Sequence, residues 1–204
     1  MPLPRFWEFA HLSDKYKNMG WLDKVPRAGK LYIGGLHALY QRPDLFNSAG
    51  INHVVSVLDY NVYESGAFKQ YKYLMIRVDD DPNEELLKYF QESNAFIDDA
   101  LSSGGGVFVH CAMGKSRSAT IVCAYLMWKY GVDPAEALKQ LCEGRPGCSP
   151  NPGFMEQLGV FHAMLKAGDE AKAKEIYAAW LKDRFQGDWW TWEKRARESK
   201  DSKL

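Results

Sequence analysis

Within nine residues, His110-Cys111-Ala112-Met113-Gly114-Lys115-Ser116-Arg117-Ser118, this sequence gathers a thiol, a guanidinium, two hydroxyls and an imidazole. Cysteine attacks as its thiolate. Cys111 lies between a wholly apolar run, Val107-Phe108-Val109, and a segment that reads as a buried helix from Ser118 to Tyr130. A loop entering a helix N-terminus aims several backbone N–H groups into one concavity, at the positive end of the helix dipole. Such a nest binds a phosphate dianion and favours a thiolate at its base, the form that attacks phosphorus. Arg117, six residues after Cys111, closes the ring with two parallel hydrogen bonds to phosphate oxygens. Gly114 supplies the left-handed backbone a tight loop needs. Ser118 is placed to donate to the sulfur and help it leave, and His110 to brace the loop. The alternative for Cys111 is that of most free cysteines, a small buried hydrophobe. Five fixed residue types in a strand–loop–helix context argue against it.

The elements that must hold this loop alternate between strands and helices. Leu31-Tyr32-Ile33 reads as a strand closed by a turn at Gly34-Gly35, and Pro43 to Ala49, stopped by Gly50, as a short helix. His53 to Leu58 and Tyr73 to Val78 are β-branched or apolar runs that predict strands. After the acidic turn Asp79-Asp80-Asp81-Pro82, Leu86, Leu87, Phe90, Ile97 and Leu101 follow helical spacing, ending at Gly104-Gly105-Gly106. Asp133-Pro134 opens a helix to about Glu143, and Phe154, Leu158, Phe161 and Leu165 share one face of the next. Residues 169–200 are helix-forming, with Trp189, Trp190 and Trp192 clustered. The alternation predicts an α/β fold around a central sheet. The aromatic-rich start (Phe6, Trp7, Phe9, Tyr16, Trp21) reads as an appendage packed on it.

The pattern His-Cys-five residues-Arg-Ser/Thr resembles that of the cysteine-dependent phosphatases, most closely their dual-specificity branch. Ala124-Tyr125-Leu126-Met127 and Pro150-Asn151-Pro152-Gly153-Phe154 are similar to residues of that branch, and the resemblance covers about residues 29–166. It implies a central mixed sheet flanked by helices, with residues 1–28 as an N-terminal appendage and 167–204 as a helical, Trp-rich extension. Within the branch, the YVH-type phosphatases are similar through Leu31-Tyr32-Ile33-Gly34-Gly35, Phe154-Met155-Glu156-Gln157-Leu158 and Ile176-Tyr177. That subgroup carries a cysteine-rich zinc module. Here no cysteine pair has metal spacing, so neither metal nor cofactor is expected.

The resemblance implies hydrolysis of phosphoserine, phosphothreonine and phosphotyrosine monoesters on proteins through a cysteinyl-phosphate, in a shallow site. It also implies an acid some thirty residues before the cysteine, which counting back from Tyr89-Phe90 places at Asp80. Asp79 and Asp81 leave a slip of one residue open. Crowded carboxylates favour holding a proton, as a general acid must, although Asp81 alone can cap the following turn. Asn151 is expected to tie the phosphate loop to its neighbour through its side-chain amide. Met113 stands where the family commonly has alanine. Lys115 suggests a second reading, a phosphoinositide or other phospholipid substrate whose further phosphate meets the lysine. A third is a non-catalytic assembly module that uses the pocket and the tryptophan-rich tail.

The whole chain has 204 residues, 46% apolar and 14% aromatic, enough for a core and incompatible with a disordered chain. Its 26 basic and 26 acidic groups cancel, which argues against a nucleic-acid binder. The cancellation is uneven: residues 59–99 carry ten acidic against four basic groups, and the flanking stretches each carry an excess of three positive charges. No apolar run reaches the roughly 20 residues of a membrane span, nor does the start read as a secretory signal. Four cysteines, Cys111, Cys123, Cys142 and Cys148, are too few for a disulfide framework. A reducing compartment is therefore expected, with Cys142 and Cys148 either bystanders or exchange partners for Cys111. The tryptophans are expected to pack on the domain or to dock a partner. Ser202-Lys203-Leu204, at a free C-terminus, is an address for the peroxisomal import receptor; without it, the cytoplasm or nucleus is expected.

Overall fold

The computed structural model of the chain describes residues 20–63 and 68–201. Most of the aromatic N-terminal segment and Ser202-Lys203-Leu204 lie outside them. A five-stranded sheet runs in the order β1 (Asp23–Lys24), β2 (Leu31–Gly35), β5 (Gly106–Cys111), β3 (Ile51–Val57), β4 (Lys72–Ile76). Only β1 pairs antiparallel, making the sheet mixed. Parallel strands need crossovers, and helices lie in two of them: α1 (Leu36–Gln41) and α2 (Pro43–Ala49) between β2 and β3, and α3 (Phe90–Ser102) before β5. Four further helices follow: α4 (Arg117–Tyr130), α5 (Pro134–Gly144), α6 (Pro152–Lys166) and α7 (Glu170–Asp183); α8 (Trp189–Asp201) ends the described chain.

The period of two along each strand sorts the core into two layers. Val107, Val109 and Cys111 of β5 join Val55, Val57 and the helices α3 to α6 on one side. Phe108 joins Val54, Leu58, Ala38, Leu39 and Phe46 on the other, meeting the Phe46 ring edge-on at 4.8 Å. All six residues of β5 are buried, because β2 and β3 flank it and helices cover both faces. The catalytic-loop candidate thus leaves the C-terminal end of the central strand, where open parallel sheets place their ligands. Every residue of α4 from Arg117 to Met127 is buried, so the loop is anchored between two elements that cannot move without opening the core.

Several expectations change. Gly34 and Gly35 do not form a turn. They are the last residues of β2, in register with His110 and Cys111. The helix α1 that follows at once escaped the sequence reading because it has neither a capping side chain nor an acidic first turn. The tryptophans also separate: Trp192 is 3% exposed, whereas Trp190 is 78% exposed and Trp189 is on the surface. Leu165, expected on the buried face of α6, is exposed too. The sheet itself begins at β1, ahead of Leu31, so residues 23–28 pack with the domain, Val25 and Ala28 being buried.

Candidate active site

Cys111 is the last residue of β5 and 2% exposed. Its Sγ accepts the Gly114 N–H at 3.2 Å and lies 3.3 Å from the Ser118 hydroxyl. Both contacts stabilise negative charge on sulfur. Gly114 has φ 67°, and a Cβ there would collide with the Gly34 carbonyl. Only glycine lets the loop lie on the bare end of β2 while turning its N–H to the sulfur.

The carbonyls of the loop are held by residues outside it. Ala112 C=O accepts from Leu36 N–H at 3.1 Å and Lys115 C=O from Ser149 N–H at 2.7 Å. Arg145 takes the two between: its Nη2 donates to Met113 C=O at 3.0 Å and its Nε to Gly114 C=O at 2.7 Å. Arg145 is buried and ion-paired to Asp23 of β1 at 2.5 Å. Sequence reading missed this pair, since 122 residues separate its members and no local pattern joins them. Met113 itself faces out, 56% exposed, and Lys115 is half-buried.

Arg117 starts α4 and is buried. Nη1 donates to the Val78 carbonyl at 3.2 Å, with Asp59 at 3.9 Å and Asp79 at 4.0 Å. Both carboxylates are largely exposed, so they tether the guanidinium weakly. Arg117 Nε is buried and has no acceptor among the described residues. A buried unsatisfied N–H costs about 1–3 kcal/mol, and a phosphate oxygen in the loop is the acceptor this donor fits. The acidic middle segment thus borders the pocket through Asp59, Asp79 and Asp80.

The three successive aspartates do different things. Asp81 Oδ1 accepts the Asn83 N–H at 2.7 Å, a local turn. Asp79 Oδ1 accepts the Asp80 N–H at 2.7 Å. Asp80 Oδ1 takes the Ser116 hydroxyl at 2.6 Å and the Asn151 side-chain amide at 3.0 Å. Asn151 reaches the phosphate loop through its backbone N–H, which donates to Ser116 Oγ at 3.1 Å. Its amide therefore goes to the acid and, through Oδ1, to the Phe154 N–H at the start of α6. Ser116 and Asn151 thereby bind the acidic loop to the thiol loop.

His110 sits beneath the loop, fully buried and stacked on Phe108 at 5.3 Å. Nδ1 lies 3.3 Å from the Cys111 carbonyl, which can only accept, so Nδ1 carries the proton. Nε2 then accepts from Ser56 Oγ at 2.6 Å, and Ser56 accepts from the Tyr63 hydroxyl at 2.7 Å. Burial, aided by the Arg117 charge, pulls the imidazole down to about 4. Cys148 lies 3.9 Å from Gly114 C=O, and burial pushes its thiol up to about 12; burial raises Cys123 as well. Both thiols are thus held in the protonated form, which exchanges slowly. Among the described residues no cluster of His, Cys, Asp and Glu is suited to a metal, and no helix is long and apolar enough to cross a membrane.

A buried thiol held by the Gly114 N–H and the Ser118 hydroxyl, with a buried arginine six residues on, at the C-terminal end of the central strand, is the arrangement of a cysteine-dependent phosphoester hydrolase. Residues 31–164 match the family model for the dual specificity phosphatase catalytic domain, and the chain belongs to that family. It is similar to Dual specificity protein phosphatase 1 of Arabidopsis thaliana, with 37% identity over 72% of this chain and 74% of that protein. Tyrosine-protein phosphatase YVH1 of Saccharomyces cerevisiae is 33% identical over 67% of this chain but only 42% of its own length. The solved phosphatase domain of Yvh1 from Chaetomium thermophilum superimposes with a TM-score of 0.64 at 34% identity, covering 73% of this chain and 99% of that domain.

Proposed function

We propose that residues 29–166 dephosphorylate proteins at serine, threonine and tyrosine, with Asp80 as general acid and Arg117 as phosphate clamp. The observation that carries this reading is the buried, unpartnered Arg117 Nε beside a thiol already hydrogen-bonded to Gly114 N–H and Ser118. The Cys111 thiolate attacks phosphorus and the bond to the leaving oxygen breaks. Asp80 gives that oxygen its proton from Oδ2, because Oδ1 is occupied by Ser116 and Asn151. A cysteinyl-phosphate results. Asp80, now ionised, takes a proton from the attacking water, the S–P bond breaks, and the Ser118 hydroxyl supports the departing sulfur. The loop N–H groups and Arg117 hold the equatorial oxygens, where fixed donors act at full strength without reorganising. The names of the relatives support a protein substrate; a lipid reading rests on Lys115 alone.

The test is turnover of phosphoserine, phosphothreonine and phosphotyrosine peptides beside a phosphoinositide. Cys111→Ser should abolish turnover while retaining phosphopeptide binding. Preference for the lipid, or wild-type activity in Cys111→Ser, overturns the reading. Ser202-Lys203-Leu204 supports peroxisomal import; a fluorescent fusion ending at Leu204 that stays diffuse in cells would count against it.

A further inference from the structure

The family match ends at residue 164, yet the loop that carries Asp80 is also fastened by residues that lie beyond it. Asn83, three residues after Asp80, has every polar group engaged. Its N–H donates to Asp81 Oδ1 at 2.7 Å. Its Nδ2 donates to Gly187 C=O at 2.9 Å, and its Oδ1 accepts from Gly187 N–H at 3.0 Å and from Trp192 Nε1–H at 3.0 Å. Its carbonyl accepts from Arg184 Nη2 at 2.7 Å. Two residues on, Glu85 accepts the Tyr177 hydroxyl and lies 4.0 Å from Arg184 Nη1. Trp192, buried and set edge-on against Phe185 at 4.8 Å, locks the α7–α8 connection in place. From the other side, Gly153 at the start of α6 presses on Pro82 so closely that a Cβ would strike its carbonyl.

We propose that the 184–192 segment is a positioning clamp for the general acid, with Asn83, Arg184 and Trp192 as positioning residues that act through the acid loop. The proposal rests on Asp80 being that acid. Asp80 has one oxygen tied to Ser116 and Asn151 and the other left for proton transfer, so the loop backbone sets how that second oxygen meets the leaving group. Acid catalysis typically contributes 10²–10⁴-fold, and misplacement by about an ångström costs on the order of 10²-fold. A partly released loop should forfeit a fraction of this. The extension places four hydrogen bonds on one partly buried asparagine three residues from the reacting carboxylate. The Trp-rich tail thereby becomes part of the catalytic apparatus.

The assay uses the full chain and a series of aryl phosphates whose leaving groups span a range of acidity, with thermal melts confirming the fold. Basic leaving groups need the acid most. Asp80→Asn should show a loss in kcat/KM, which reports the step that expels the leaving group, and that loss should grow steeply along the series. Trp192→Phe keeps the ring and removes the bond to Asn83, and Arg184→Gln removes the donor to the Asn83 carbonyl. Each should lose about 5–10-fold in kcat/KM on the most basic leaving group and less than about 2-fold on the most acidic. Trp190→Ala, on the same helix but exposed, should follow wild type. A uniform loss, or none, in both clamp variants while Asp80→Asn remains leaving-group dependent overturns the clamp alone. A flat series in Asp80→Asn overturns the acid assignment and the clamp with it.

Discussion

His110 ties catalytic architecture to stability in a way that pH can read. In the fold its imidazole is neutral, with Nδ1–H on the Cys111 carbonyl and Nε2 accepting from Ser56. Protonating Nε2 turns that acceptor into a donor and reverses the chain through Ser56 to the buried Tyr63 hydroxyl. Burial, reinforced by Arg117, places the folded-state value at about 4, against 6.5 for the free side chain. Below 6.5 the unfolded chain therefore binds a proton that the folded chain refuses, so stability is present at neutral pH and is lost as pH falls from 6.5 towards 4. Integrating the difference gives a loss of about 2 kcal/mol by pH 5 and about 3 kcal/mol by pH 4. Carboxylates titrate across the same range, so the contribution is read as a difference. Urea melts of wild type and His110→Asn from pH 7.5 to 4 should give curves that converge as pH falls, because asparagine keeps a donor but binds no proton. Parallel curves, or a His110 imidazole that titrates near 6.5 by NMR in the folded protein, would refute the reasoning.

Two other perturbations probe the loop directly. Gly114→Ala forces a Cβ towards the Gly34 carbonyl at φ 67° and should cost about 1–3 kcal/mol in urea melts. It should also lower kcat more than tenfold, because the N–H on Sγ moves. Asp23→Ala leaves the Arg145 charge buried without its partner and should destabilise by about 3 kcal/mol. A raised KM for phosphopeptide would follow as Arg145, the donor to the Met113 and Gly114 carbonyls, loses the carboxylate that anchors it, whereas an unchanged KM would confine Arg145 to stability.

The sequence by itself determined the reacting groups and the order of elements around them. Cys111, Arg117 and Ser118 are legible because the loop is local: strand, nest and helix start are consecutive, and the spacing encodes the geometry. The helices Pro43–Ala49 and Pro134–Gly144 are legible because proline and glycine, or a capping aspartate, mark their ends. What tertiary structure decided is everything that depends on distant backbone. It separated three adjacent aspartates by giving Asp80 to Ser116 and Asn151, Asp79 to its own neighbour and Arg117, and Asp81 to a turn. It turned Gly34-Gly35 from an expected turn into the bare strand end on which Gly114 rests. It also joined Asp23 to Arg145 and Asn83 to Trp192 across more than a hundred residues. Such pairings arise from packing, where the partner is whatever the fold brings near, and a linear pattern carries no trace of them.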